Sequence, residues 1–372
     1  MATTFHKPSL WRRVSQWLAG FDGPLAVAVF LLAAMGTLTI YSAGYDFAGR
    51  FEDHLRNLFI AAVAMMLIAQ VPPQRLLQVA VPLYVIGVAL LVSVAMFGLV
   101  KKGARRWINV GVVIQPSEIM KIAMPLMLAW WFQRREGAIR LLDFCVAGVI
   151  LLVPTLLIAR QPDLGTALLV LSAGIFVIFF AGLSWRVIAG GLIAVLAFIP
   201  VAWKYLLHDY QRERVLTLID PTTDPLGKGF HIIQSTIAIG SGGVFGKGYM
   251  QGTQAHLEFI PERTTDFIFA VFAEEFGLVG ALLLVAAFTF LIFRGLQIAS
   301  SAPTMFSRLL AGAVTMILFT YAFVNMGMVS GILPVVGVPL PFISYGGTAL
   351  LTIGVGLGML FSIARQRRFV QS

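Results

Sequence analysis

Asp266 stands in Pro261-Glu262-Arg263-Thr264-Thr265-Asp266, directly before the apolar run Phe267 to Phe293. A carboxylate where a membrane helix meets water is costly to bury and can take up or release a proton. Such a position suits a general base or a divalent-cation ligand, and equally a helix N-cap. Glu274 lies eight residues on. On a helix opening at Asp266 it falls about 80° round and about 12 Å deeper, so the two acids are expected to line one cavity, with Glu275 turned toward other helices. Glu118 and Lys121, in Gln115-Pro116-Ser117-Glu118-Ile119-Met120-Lys121, share a helical face. They read either as a structural ion pair at a membrane boundary or as a phosphate contact, Lys121, held in place by Glu118. Asp163, in Arg160-Gln161-Pro162-Asp163-Leu164-Gly165-Thr166, is a helix cap or part of a polar cluster facing an outer cavity.

The elements that must carry these residues are membrane helices. The chain of 372 residues is 59% hydrophobic and 12% charged, which excludes an ordinary soluble domain. Apolar stretches of roughly 17–25 residues recur between short polar ones. They predict ten spans, near 24–44, 56–71, 77–99, 119–133, 143–159, 165–183, 187–207, 266–293, 308–330 and 346–363, in a single membrane domain over 1–372. The first run is read as a retained span rather than a cleaved signal. The long connection, 208–265, is expected to be functional. Cys145 is the single cysteine, so no intrachain disulfide exists, and the five histidines are scattered without helical pairing.

An even span count puts both termini on one side. Lys7, Arg12, Arg13, Arg75, Arg134, Arg135, Arg140, Arg186, Arg294, Arg308, Arg365, Arg367 and Arg368 then mark that side as cytoplasmic. The outer side nevertheless keeps Lys101, Lys102, Arg105, Arg106, Arg160, Arg212, Arg214, Lys228, Lys247 and Arg263. Some of these can pair with Asp209, Glu213, Asp220 and Asp224. Lys101 to Arg106 have no acid before Glu118, and cations kept there against the insertion rule suggest an anionic ligand such as lipid phosphate.

Two further stretches carry structure. His231 to Ile239 is amphipathic and leads into Gly240-Ser241-Gly242-Gly243-Val244-Phe245-Gly246-Lys247-Gly248. This is not a nucleotide loop, because Lys247 is followed by Gly248 and the required upstream glycine is Ser241. A re-entrant turn bending backbone toward a lipid headgroup is expected instead. In Asn325 to Gly347, Pro334, Pro339 and Pro341 with Gly331, Gly337, Gly346 and Gly347 forbid a continuous helix. That stretch lines a cavity or forms a rigid outer loop.

These stretches, in this order, resemble the SEDS family (shape, elongation, division and sporulation proteins), its elongation branch more than its division branch. The resemblance covers nearly the whole chain. It is most specific at NMGMVSGILPVVGVPLPFISYGG, HDYQRERVLTLIDPTTDPLGKGFHIIQSTIAIGSGG and FIPERTTDFIFAVFAEEFG. It implies an all-α polytopic glycosyltransferase of a bacterial inner membrane, polymerising lipid II into peptidoglycan strands beside a class B penicillin-binding protein. The aspartate of the family's P-E-x-x-T-D-F motif falls on Asp266, its essential acid. The Q-P-S-E-x-x-K stretch falls on Glu118 and Lys121, and the aspartate of Q-P-D-L-G on Asp163. Thr264 departs from the histidine of close relatives. Arg105, Arg106, Arg160, Arg212, Arg263 and Ser344 are further substrate contacts on this reading, while Glu274, Pro339 and Gly346 shape the cavity. A divalent cation, Mg2+ or Mn2+, fits beside the pyrophosphate at Asp266. No nucleotide is required, because the activated bond arrives with the lipid, and no nucleic acid is involved. A lipid II flippase would use similar groups, but no inverted repeat is evident and the acids cluster at the outer face. A non-catalytic scaffold leaves the outer charges unexplained.

Overall fold

The computed structural model describes residues 21–101, 104–109, 111, 113–205, 209–223, 228–257, 259–260 and 262–370. Lys7, Arg12, Arg13, Lys102, Asp224 and Pro261 lie outside them.

Among the described residues ten long helices appear where ten apolar runs predict them: α1 (Gly23–Ala43), α2 (Arg50–Ile68), α3 (Pro73–Phe97), α4 (Pro116–Gln133), α5 (Leu141–Ala159), α6 (Leu164–Phe180), α7 (Trp185–Tyr205), α11 (Ile268–Ser300), α12 (Met305–Val329) and α13 (Gly347–Val370). Seven are long and apolar enough to cross a membrane, and α6 is a shorter apolar helix. The other two, α2 and α4, bring ionisable residues into their first turns. Their starts are set locally: Asp22 and Asp163 accept from the Leu25 and Thr166 amides, and Pro73 and Pro116 occupy first turns where no amide bond is lost. Helix α7 differs from the rest in that none of its apolar window is buried.

The connections hold more structure than expected. Between α3 and α4 the chain forms an antiparallel meander of β1 (Leu99–Lys101), β2 (Ala104–Asn109) and β3 (Val113–Ile114), pairing Leu99 with Trp107 and Ile108 with Ile114. The long connection contains α8 (Asp209–Ile219), α9 (Lys228–Ser241), which covers the amphipathic His231 to Ile239, and the single turn α10 (Thr253–His256).

The glycine-rich stretch docks, backbone to backbone, on a break in α11. Gly277 has φ 66° and ψ −163° inside that helix, which frees peptide groups on both sides. Lys247 and Gly248 amides donate to the Glu274 and Glu275 carbonyls (3.0 and 3.1 Å), and Leu278 and Val279 amides donate to the Gly243 and Val244 carbonyls (2.9 and 3.1 Å). A Cβ on Gly246 would stand 2.0 Å from the Glu275 carbonyl oxygen, so these glycines permit close approach rather than ligand binding.

Candidate active site

Asp266 lies in the turn before α11, not on the helix. Phe267 takes the cap position, with no side-chain capping bond. The expected 80° relation to Glu274 therefore does not apply. Glu274 is fully buried, accepting from Lys247 Nζ (2.7 Å), Thr253 Oγ1 (3.1 Å) and the Gln254 amide (3.0 Å), so it fastens the loop to α11 and shares no cavity with Asp266. Glu275 does face another helix, accepting from Ser42 at the end of α1. Beside it, burial and the Glu275 carboxylate push the Tyr249 phenol up.

The turn is held mainly through its backbone. Asn325 of α12, fully buried, donates to the Asp266 carbonyl (2.8 Å) and the Val338 carbonyl (2.7 Å). Ser344 donates to the Thr265 carbonyl (2.7 Å) and accepts from the Leu340 amide (2.7 Å). The Tyr345 amide donates to the Thr264 carbonyl (2.8 Å). Arg50, stacked between Phe47 and Tyr345 at 4.6 and 4.5 Å, donates to Thr264 Oγ1 (2.9 Å). Arg263, 2% exposed, donates to the Ala43 carbonyl (2.9 Å) and pairs with Asp46. The side chain of Asp266 is left half-buried.

The irregular 331–346 segment forms the wall beside it. At Gly337, with φ 76° and an exposed position, a Cβ would stand 3.3 Å from Asp266 Oδ2. A Cβ on Gly165 would reach the Val336 and Gly337 carbonyl oxygens at 2.8 and 3.3 Å, which brings the start of α6 to the same wall. Asp163 caps that helix and accepts from Gln115 Nε2 (3.0 Å). Arg106 reaches across from β2 to the Gln161 carbonyl (3.2 Å), the Pro162 carbonyl and, at 3.9 Å, Asp163. The starts of α4, α6 and α11 and the 331–346 wall thus converge at one end of the bundle. A family model for cell cycle proteins, spanning the FtsW, RodA and SpoVE types, matches residues 24–369.

The chain belongs to this family. It is 50% identical over 366 residues to the peptidoglycan glycosyltransferase MrdB of Escherichia coli K12, with 98% of each chain covered. Among solved structures it is similar to a chain from work on the structural coordination of polymerization and crosslinking by a peptidoglycan synthase complex (TM-score 0.81, 35% identity, 93% of this chain and 98% of that one). It is also similar to the rod shape determining protein RodA of Thermus thermophilus (TM-score 0.71, 29% identity, 95% and 99%).

The remaining expected contacts of this SEDS-family chain separate by burial. Lys121, 3% exposed, donates to Glu118 Oε1 and to the Tyr321 hydroxyl, both at 2.6 Å, and Thr352 donates to Glu118 Oε2 at 2.9 Å. Lys121 is itself buried and lines a cavity of about 30 Å³ with Tyr321 and Thr352, while Glu118 is half-buried on the wall of a cleft of about 390 Å³ between α3, α4 and α13, so the ion pair stands at the edge of an open cleft. Arg263 and Ser344 are likewise buried supports of the turn, although substrate contacts were expected of them. Arg105 and Arg160 remain exposed; Arg105 donates to the Ala95 carbonyl (3.3 Å) and Arg160 closes α5. Arg212 donates to the Lys204 carbonyl (3.1 Å) within the long connection. Pro339 sits half-buried in the wall, and Gly346 accepts from the Leu350 amide at the start of α13.

The sequence reading passed over Arg50, Asn325 and Gly337. Asn325 and Gly337 lay inside a stretch singled out for its backbone, but nothing in their types indicated which backbone they would hold or spare. Among the described residues no three His, Cys, Asp or Glu side chains form a metal cluster. A single carboxylate still fits a hard dication that takes its other oxygens from water and a substrate phosphate.

Proposed function

We infer that this chain is a peptidoglycan glycosyltransferase that polymerises lipid II, of the elongation type typified by MrdB and RodA rather than the division type FtsW. The observation that carries the chemistry is the placement of Asp266. One half-buried carboxylate is presented by a turn whose backbone is bonded to α12 and to the 331–346 wall, with α2 and α1 bracing Thr264 and Arg263.

In the reaction the 4-hydroxyl of the acceptor's N-acetylglucosamine attacks the anomeric carbon of the donor's N-acetylmuramic acid. Asp266 accepts the hydroxyl proton, and undecaprenyl pyrophosphate leaves with the bonding electrons. A positioned general base contributes about 10²–10⁴ in rate. Held backbone keeps the carboxylate in reach of the hydroxyl without reorganisation during the reaction. The exposed Arg105 and Arg160 at the same end are the cations available to offset phosphate charge. A Mg2+ or Mn2+ ion held by Asp266 together with the donor's pyrophosphate would add charge neutralisation at the leaving group.

The reading has the ten long helices as ten spans of a bacterial inner membrane, both termini cytoplasmic and the Asp266 end periplasmic. Its partner is the transpeptidase of the elongation machinery, a class B penicillin-binding protein. The related synthase complex, which couples polymerization to crosslinking, supports that pairing.

The test is lipid II supplied in detergent, where sidedness is lost, to the purified protein with its partner. Glycan polymer from wild type and none from Asp266→Ala is expected. Equal polymer from both removes Asp266 from catalysis. Transport in sealed vesicles with no polymer from either protein would replace the enzyme by a flippase.

A further inference from the structure

At the end of the bundle opposite Asp266, a cleft of about 350 Å³ opens between the ends of α2 and α13 and the start of α3, lined among others by Gln70, Gln74, Ser362, Arg365 and Gln366. Its distance from the active site follows from α2: Arg50 braces the Asp266 turn and Gln70 lies twenty residues on, roughly 30 Å along the helix. None of the catalytic groups is near it.

We propose that this cavity binds a phosphate group, in the membrane the phosphodiester of an anionic phospholipid in the leaflet opposite the active site. Two features converge on an anion of that kind. Arg365 supplies a guanidinium, whose planar donors match phosphate oxygens. Its position in the wall is fixed because it donates to Gln70 Oε1. With that oxygen taken, the amide nitrogen of Gln70 is a donor shut from water with no hydrogen-bond partner. Ser362 is already engaged, donating to the Val71 carbonyl, and shapes the floor rather than binding.

The site also lies where a lipid headgroup would be. The walls above it are the apolar helices α3 and α13, and the basic residues Arg75, Arg367 and Arg368 are close in sequence on the same helix ends. Lipid phosphate there would tie α2 to α13. These two helices already pack from Asn57 beside Gly347, through Ala61 and Met65 beside Gly354 and Gly358, down to Gln70 and Arg365.

The test is native mass spectrometry and thermal unfolding of the full chain in detergent, titrated with phosphatidylglycerol, phosphatidylcholine or inorganic phosphate. Phosphatidylglycerol is expected to be retained and to raise the unfolding midpoint. Arg365→Gln weakens its retention at least about fivefold, and Arg365→Lys restores part of it. Gln74→Glu, at an exposed position, places an acid at the mouth without disturbing packing and gives the same loss, which keeps the test valid if Arg365→Gln fails to fold. Protection by inorganic phosphate equal to that by phosphatidylglycerol identifies a soluble phosphate as the ligand of the same site. Equal retention of phosphatidylcholine and phosphatidylglycerol, or retention unchanged in Gln74→Glu, overturns the proposal. Polymerisation in detergent by Gln74→Glu remains at the wild-type rate, because the cavity is remote from Asp266.

Discussion

Asp266 and the pair Glu118–Lys121 look alike in sequence: ionisable residues beside a proline, at the mouth of an apolar run. The structure treats them oppositely. Asp266 has a half-buried side chain on a turn whose backbone is bonded to α12 and to the 331–346 wall, so its position is fixed through peptide groups. Lys121 is buried and donates to Glu118 and Tyr321, while Glu118, half-buried like Asp266, also accepts from Thr352. The first arrangement invests hydrogen bonds in peptide groups, the second in the charges themselves.

The widest separation between the two comes from Asp266→Asn. Asparagine has the same shape and cannot accept the proton. Polymerisation with lipid II should fall about 10²–10⁴-fold, or about 2.7–5.4 kcal/mol of barrier, while the unfolding midpoint in detergent stays near wild type. A rate within twofold of wild type would mean that Asp266 is no base and that the comparison is empty.

Lys121→Met should give the reverse pattern. Removing Lys121 leaves half-buried Glu118 with Thr352 as its donor, at a cost of about 1–3 kcal/mol of stability. Combining it with Glu118→Gln should recover much of that loss, because no charge is then left alone. Stability that is unchanged together with a raised KM for lipid II would instead make Lys121 a substrate contact and undo the distinction drawn from burial.

Asn325→Leu is the next sharpest probe, because it leaves the turn's residues unchanged. It orphans the part-buried Asp266 carbonyl and the buried Val338 carbonyl, and should cost about 1–3 kcal/mol. Since one of those carbonyls belongs to Asp266 itself, kcat should drop more than KM rises. A loss of stability without any loss of kcat would show that the base tolerates a loose support.

The same contrast explains what could be read from the chain. Apolar runs mark the helices because every backbone group inside lipid must bond within its own segment, and the run length equals the bilayer thickness. Asp266 was legible because a carboxylate beside such a run is rare. The meander between α3 and α4 was not, since strands of three, six and two residues leave no periodic signal. The relation between Asp266 and Glu274 failed for a geometric reason. Helical angles hold only from Ile268, and Gly277 breaks α11 soon after. The glycine-rich loop misled in a similar way: glycine spacing announces a close approach, but its partner, the broken helix nearly thirty residues downstream, is a tertiary fact.

Ser344→Ala should have the smallest effect and is the most discriminating about mechanism. The hydroxyl was expected to touch substrate. In the fold it is 2% exposed and bridges the Thr265 carbonyl to the Leu340 amide, both at 2.7 Å. Removing it takes two bonds from the joint between the Asp266 turn and the wall. Asn325, Tyr345 and Arg50 still hold that joint, so about 0.5–1.5 kcal/mol per bond is the ceiling. A support acts on the orientation of the carboxylate, and orientation enters the chemical step. The expected result is therefore a severalfold fall in kcat with KM for lipid II unchanged. A raised KM at constant kcat would require the hydroxyl to reach the ligand, and hence a turn that opens when substrate binds.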